Sequence, residues 1–143
     1  MIKINVITNN NNWYKSIKNP VNYINAKIDK INKFEKKFYN RNIYWTLLLS
    51  NNNEIKYINN KFRKKNKSTD VLSFPFQGRK ELNTILKKEK EIYLGDIIIN
   101  FNKVKKNNLK SFKLEFDRLW IHGLVHLFGH DHKQEKDFLK MSQ

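Results

Sequence analysis

Hydrophobic positions along the chain change their period often enough to outline a mixed fold. Ile2, Ile4 and Val6 alternate with polar neighbours, the pattern of a half-buried strand. Asn19 and Pro20 make a helix start, a cap followed by proline at the first helical position. Val21, Ile24, Ile28, Ile31, Phe34 and Phe38 then recur at helical spacing, which predicts a long amphipathic helix to about residue 39. Ile43 to Leu49 reads as a buried strand, rich in β-branched and aromatic residues at its start and closed by the Asn-rich turn Ser50 to Asn53. Ile55, Ile58 and Phe62 suggest a short helix. Val71 to Phe76 and Tyr93 to Asn100 are two further strands, and the charged stretch 77–92 between them reads as irregular surface chain. Phe101 to Leu109 is expected to be a helix with a basic outer face, and Lys113 to Phe128 a longer helix with an apolar side. A short amphipathic tail helix follows, with Phe138 and Met141 inward. No repeat or linker interrupts this interleaving. The expected fold is α+β: one domain over residues 1–143, a mixed, mostly parallel sheet of about four strands packed with helices.

Composition narrows the setting. A chain of 143 residues can bury one real core but not two. The absence of cysteine excludes a disulfide framework and is typical of a reducing compartment. There is no run of eighteen apolar residues, and MIKINVITNN has no positive segment followed by an apolar one, so a cytoplasmic protein without a membrane partner is expected. The net charge of +16 is partly the Asn, Lys and Ile bias of an AT-rich genome. It is also unevenly spread: from Glu115 onward there are five acids and four Lys or Arg, so the surplus lies upstream. Its densest run is Lys61-Phe62-Arg63-Lys64-Lys65-Asn66-Lys67. Such a run is either a solvated face or a phosphate-binding surface.

The chemistry concentrates elsewhere. All four histidines fall in the eleven-residue window His122-Gly-Leu-Val-His126-Leu-Phe-Gly-His130-Asp-His132. His122 and His126 are four apart and stack on one helical face, where their imidazoles can share one ion. Gly129 allows a left-handed exit that swings a later histidine back, and His132 is the natural third ligand. Three imidazoles and an open position describe a catalytic zinc site, whereas structural zinc is closed by four protein ligands. His130 can be a substitute ligand, a proton donor or a solvent-exposed turn residue, and Asp131 can orient a ligand or cap the turn.

Three ordered segments carry a family resemblance. The histidine window resembles the H-G-x-L-H-L-x-G-Y-D-H signature of the YbeY endoribonucleases. Phe62-Arg63 with Ser68-Thr69-Asp70-Val71-Leu72-Ser73-Phe74-Pro75-Phe76 is similar to that family's Y-R and P-T-[DN]-V-L-S-F-P pattern. Leu94-Gly95-Asp96-Ile97-Ile98-Ile99 is similar to its L-G-D-I-x-I strand. The resemblance spans essentially the whole chain. It implies a zincin-like metal helix and a zinc-dependent, single-strand-specific endoribonuclease. It further implies action in small-subunit ribosomal RNA 3′ maturation and ribosome quality control, with ribosomal RNA and ribosomal particles as partners. It implies one Zn2+ on His122, His126 and His132, and an important role for Arg63. The chain departs from the pattern at His130 and Phe62, where tyrosine is usual, at Val125, where leucine is usual, and at Arg118, where some members carry another histidine.

The residues also weigh the alternatives. The spacing H-x3-H-x2-G-x2-H is shared with metzincin peptidases, which need a glutamate directly after the first histidine as base. Here that position is Gly123, and losing such a base costs about two to four orders of magnitude. Phosphodiester cleavage instead asks for Lewis acidity and a cation near the developing charge. Arg63 offers a planar fork matched to phosphate. His122 and Arg63 are thus the candidate catalytic residues, and Arg63, Lys61, Lys64 and Lys65 the candidate substrate-binding ones. A non-catalytic RNA-binding assembly factor, its zinc completed by Asp70 or Asp96, is the third reading.

Overall fold

Parallel pairing builds most of the sheet in the computed structural model, which describes residues 1–8, 10–104, 108–130 and 132–143, without the His132 side chain. β1 (Ile2–Thr8) runs parallel to β2 (Asn42–Ser50), and β2 parallel to β4 (Glu91–Asn100). β3 (Val71–Pro75) is antiparallel to β4 at the edge, so the order is β1-β2-β4-β3. The helices are α1 (Asn12–Ser16), α2 (Pro20–Phe34), α3 (Asn52–Arg63), α4 (Arg79–Lys88), α5 (Leu109–Leu127) and α6 (His132–Ser142). The expected α+β class and mixed, mostly parallel sheet are what the chain forms.

Strand alternation divides the protein into two layers. Ile97 and Ile99 point into the main core with Trp45, Leu47, Trp120 and Leu124, while Ile98 points the other way to Ile55 of α3 and Leu72 of β3. α5 therefore lies on one face of the sheet and α3 on the opposite one. Asp117 pins α5 to α2: the Tyr23 hydroxyl donates to its Oδ2 at 2.8 Å and the Trp120 indole N–H to its Oδ1 at 2.9 Å. Burial beside that carboxylate pushes the Tyr23 hydroxyl well above its ordinary range.

Several elements differ from expectation for tertiary reasons. α2 stops at Phe34, not near 39, yet Phe38 is buried from a turn whose carbonyl accepts the N-terminal ammonium at 2.7 Å. The Asn-rich turn is a cap, with Asn51 accepting the Glu54 N–H at 3.0 Å. Within 77–92, read as irregular, α4 forms because Leu82 is buried and Ile85 and Leu86 pack at helical spacing against the core. α1 was not foreseen; it is held by buried Trp13, whose indole N–H reaches Ser50 O at 3.0 Å. The expected helix over Phe101 to Leu109 is a 3-10 turn at Phe101–Lys103, and residues 105–107 lie outside the described ones. α5 starts at Leu109, four residues before the expected Lys113, with Asn108 accepting the Ser111 N–H at 2.8 Å.

Candidate active site

α5 is an almost wholly buried helix with one exposed stripe. Lys110, Leu114, Arg118, His122 and His126, four apart, are exposed along it, while Leu119, Trp120, Ile121, Gly123, Leu124 and Val125 are buried. The stripe is thus held rigidly by the packing behind it. Gly123 is the closest part of that packing: a Cβ there would meet the Ile97 side chain at 2.9 Å. The position a peptidase fills with its base is occupied by the sheet.

His122 is oriented from α6. Its Nδ1–H donates to Glu135 Oε1 at 3.1 Å, since an ionised carboxylate can only accept. In the neutral ring that leaves Nε2 as the acceptor nitrogen, the arrangement in which histidines bind divalent cations. One turn earlier, the Arg118 guanidinium pairs bidentately with Glu115, at 2.6 and 3.1 Å. That pairing raises its pKa against the opposing effect of burial, with Asp70 and Glu135 adding to the rise. Glu115 therefore neutralises the cation that would otherwise stand closest to His122 on the stripe.

The end of α5 follows the expected left-handed exit. Gly129 has φ 72°, its N–H bonds to His126 O at 2.9 Å, and the His130 N–H reaches back to Val125 O at 3.0 Å. This is the Schellman arrangement, and it turns the chain toward α6 and residue 132. His132 begins α6, but its side chain and all of Asp131 lie outside the described residues. Among the described residues no three His, Asp or Glu side chains are grouped to hold an ion. What the structure does bring together is the His122–His126 pair with Glu135 behind it. A nitrogen pair backed by a carboxylate is a donor set that fits zinc.

His130 corrects its expectation as a solvent-exposed turn residue. Its ring is half-buried, stacked on Phe128 at 5.3 Å and set edge-on to Phe138 at 6.3 Å. Asp96 is also set aside as a completing ligand. It faces the α3 side of the sheet, where the Tyr93 hydroxyl donates to it, and α5 is on the other side. Gly95 before it is required: φ is 143° and a Cβ would collide with Phe74 O.

Arg63 ends α3, so it approaches from the layer opposite the histidines. Its Nη2 donates to Ser73 O at 2.8 Å and its guanidinium lies over Phe74, 5.2 Å from the ring centre. Asp70 O and Phe76 N pair with β4, so alternation turns the Ser73 carbonyl outward to the free edge of β3. Lys61 lies over Tyr57 and Phe62, Lys64 is the left-handed cap of α3 (φ 56°), and Lys65 is exposed. Of the basic run, Arg63 is the residue bonded to the β3 edge, and α5 packs on that strand from the other side.

A cleft of about 570 Å3 opens beside His126, lined by Phe76, Arg79, Leu82, Gly129 and His130 among others. Phe76, expected as the last residue of its strand, lies just beyond β3 and is 69% exposed. Arg79 was missed altogether. The signal was present in Leu82, Ile85 and Leu86 at helical spacing, but the density of Lys and Glu around them obscured it.

The family model described as Endoribonuclease YbeY matches residues 7–143. The Endoribonuclease YbeY of Pelagibacter ubique is 44% identical over 144 residues, spanning 99% of this chain and 90% of that protein. That of Fusobacterium nucleatum is 34% identical over 119 residues, spanning 81% and 71%. That of Ehrlichia canis is 32% identical, spanning 96% and 83%. A Thermotoga maritima protein solved in solution shares the fold, with TM-score 0.58 at 22% identity over 99% of this chain and 89% of that one.

Proposed function

The chain belongs to the Endoribonuclease YbeY family, and from that premise we propose that it is a zinc-dependent endoribonuclease cutting single-stranded RNA along the exposed stripe of α5. The substrate is ribosomal RNA, with 3′ maturation of the small-subunit RNA and ribosome quality control as its setting and ribosomal particles as partners. We place it in the cytoplasm; among the described residues no helix is long and apolar enough to cross a membrane. The observation that carries the reading is the division of labour at His122 and Gly123. One imidazole faces solvent with its Nδ1 proton fixed on Glu135, while the adjoining position is packed against Ile97, where no base can stand.

His122, His126 and His132 would hold the ion. Bound there, zinc supplies Lewis acidity toward a phosphodiester. The chain's own residues do the remainder. Glu135 keeps the His122 proton at Nδ1 and the ring in one orientation. Arg63, with its planar fork at the β3 edge, offers donors to phosphate oxygens as negative charge grows on them. Lys61, Lys64 and Lys65 beside it attract the RNA backbone.

The β3 edge also argues against peptide substrates, which commonly add as a strand to such an edge. Its outward groups are largely spent: Ser73 O accepts from Arg63, the Val71 N–H is bonded to Asp70 Oδ1 at 2.8 Å, and Pro75 has no N–H. The test is cleavage of single-stranded RNA by metal-loaded protein, with casein as the control substrate. RNA is expected to be cut and casein left intact. Casein hydrolysis, or RNA binding with no cut, overturns the reading.

A further inference from the structure

Arg79, at the start of α4, lines the same cleft as His126. Its aliphatic stem lies against Gly129, whose missing Cβ would sit 3.3 Å from Arg79 Cγ. No ion pair or hydrogen bond to another described residue engages its guanidinium, in contrast to Arg118, paired with Glu115, and Arg63, bonded to Ser73 O. Further along α4, on the same side, a second cleft of about 410 Å3 is lined by Lys37, Phe38, Arg41, Asn83 and Lys87 among others. Arg41 is committed to carbonyls, donating to Glu89 O and Lys87 O, but Lys37 and Lys87 have no carboxylate partner among the described residues.

The two clefts share a floor. Phe38, lining the second, stacks on Phe128 at 5.2 Å, and Phe128 stacks on His130, which lines the first. α4 is the common wall, ten residues or about 15 Å long. Among the described residues, no Asp or Glu lines either cleft. Phe76 stands at the mouth beside His126, edge-on to Tyr93 at 5.9 Å, with most of its ring in solvent.

We propose that α4 and the Phe38–Phe128–His130 floor form a track for single-stranded RNA leading away from the histidine stripe. Phe76 stacks a base at its mouth, Arg79 takes the first phosphate, and Lys37 and Lys87 take two others further along. An exposed aromatic beside cations that pair with no carboxylate is the combination that holds a single strand regardless of sequence. The track rests on the ribonuclease reading and deepens it. Arg63 is bonded to Ser73 in the middle of β3, and the chain leaving β3 carries Phe76 and Arg79 to the cleft beside His126.

The test measures affinity for a labelled single-stranded oligoribonucleotide across a salt series. It compares wild type with Arg79→Ala, Lys37→Ala/Lys87→Ala, Phe76→Ala and Phe76→Trp. The charge control is Lys15→Ala/Lys18→Ala, two exposed lysines at α1, whose Trp13 packs on Phe112 near the start of α5. Arg79→Ala is expected to flatten the slope of log K against log salt by about 0.7, and the Lys37/Lys87 pair by about 1.4. Phe76→Ala is expected to weaken binding about tenfold, and Phe76→Trp to restore it. The control pair is expected to leave the slope unchanged. All five variants replace exposed side chains, and unchanged thermal unfolding checks their folding. If the Arg79 and Lys37/Lys87 variants match the control pair, the track is wrong, while RNA cleavage by wild type would leave the nuclease reading standing. If wild type neither binds nor cuts RNA, both fall.

Discussion

One face of the sheet is sealed by α2, α5 and α6, and the other is covered only where α3 crosses Leu48, Leu72 and Ile98. On the sealed face, Arg118, His122 and His126 of α5 are backed by buried neighbours, and the His122 ring is fixed through Glu135. On the open face, Tyr44, Tyr93 and Asp96 remain in solvent, and the densest positive charge of the chain collects at the end of α3. The two faces meet at the edge strand β3, where Arg63 grips the Ser73 carbonyl. Charge density therefore does not locate the site. What counts is which cations reach the edge that α5 packs against, so one arginine on the open side is expected to outweigh three lysines.

That contrast can be broken experimentally, starting with Arg63. Arg63→Ala is expected to lower RNA cleavage by about 10²–10³-fold with bound metal unchanged; full cleavage by the variant would remove Arg63 from the chemistry. On the sealed face, Glu135→Gln is expected to weaken metal binding about 10–100-fold, read by competition with a chelator, because it loses the carboxylate that sets the His122 tautomer. Unchanged affinity would mean the hydrogen bond is incidental. For Gly123→Ala, crowding against three Ile97 atoms within 3.2 Å costs about 1–3 kcal/mol. Helix propensity returns about 1 kcal/mol, so a net loss of about 1 kcal/mol in urea unfolding is expected, eased by adding Ile97→Val. A stabilised Gly123→Ala would show the helix is not held that close. The smallest effect belongs to Lys61→Ala/Lys64→Ala/Lys65→Ala: an RNA affinity loss that vanishes with added salt, and an unchanged kcat.

The parts of this molecule that could be read from sequence are those whose cause is local. Asn19 and Pro20 start α2, Gly129 ends α5 in the left-handed region, and the four-residue spacing of His122 and His126 sets them on one stripe. The parts that could not be read depend on distant contacts. Phe38 continued the helical spacing of α2, yet it is buried from a turn pinned by the N-terminus, and α1 exists because Trp13 enters the core under Ser50. α4 looked like loop because its three apolar residues sit among Lys and Glu, and with it went Arg79. The separation of Arg63 from the histidines by the sheet itself had no signature in the sequence. Nor did the packing of Gly123 on Ile97, although the missing base was visible in the residue's identity.

The central claim is that the exposed stripe of α5 is a metal site that cuts RNA. Its most direct test is to measure bound zinc and single-stranded RNA cleavage on the same preparations of wild type and His126→Ala, with folding checked by thermal unfolding. The account expects one zinc per wild-type chain with cleavage, and loss of both in a folded variant. A folded His126→Ala that cuts RNA at the wild-type rate would contradict it.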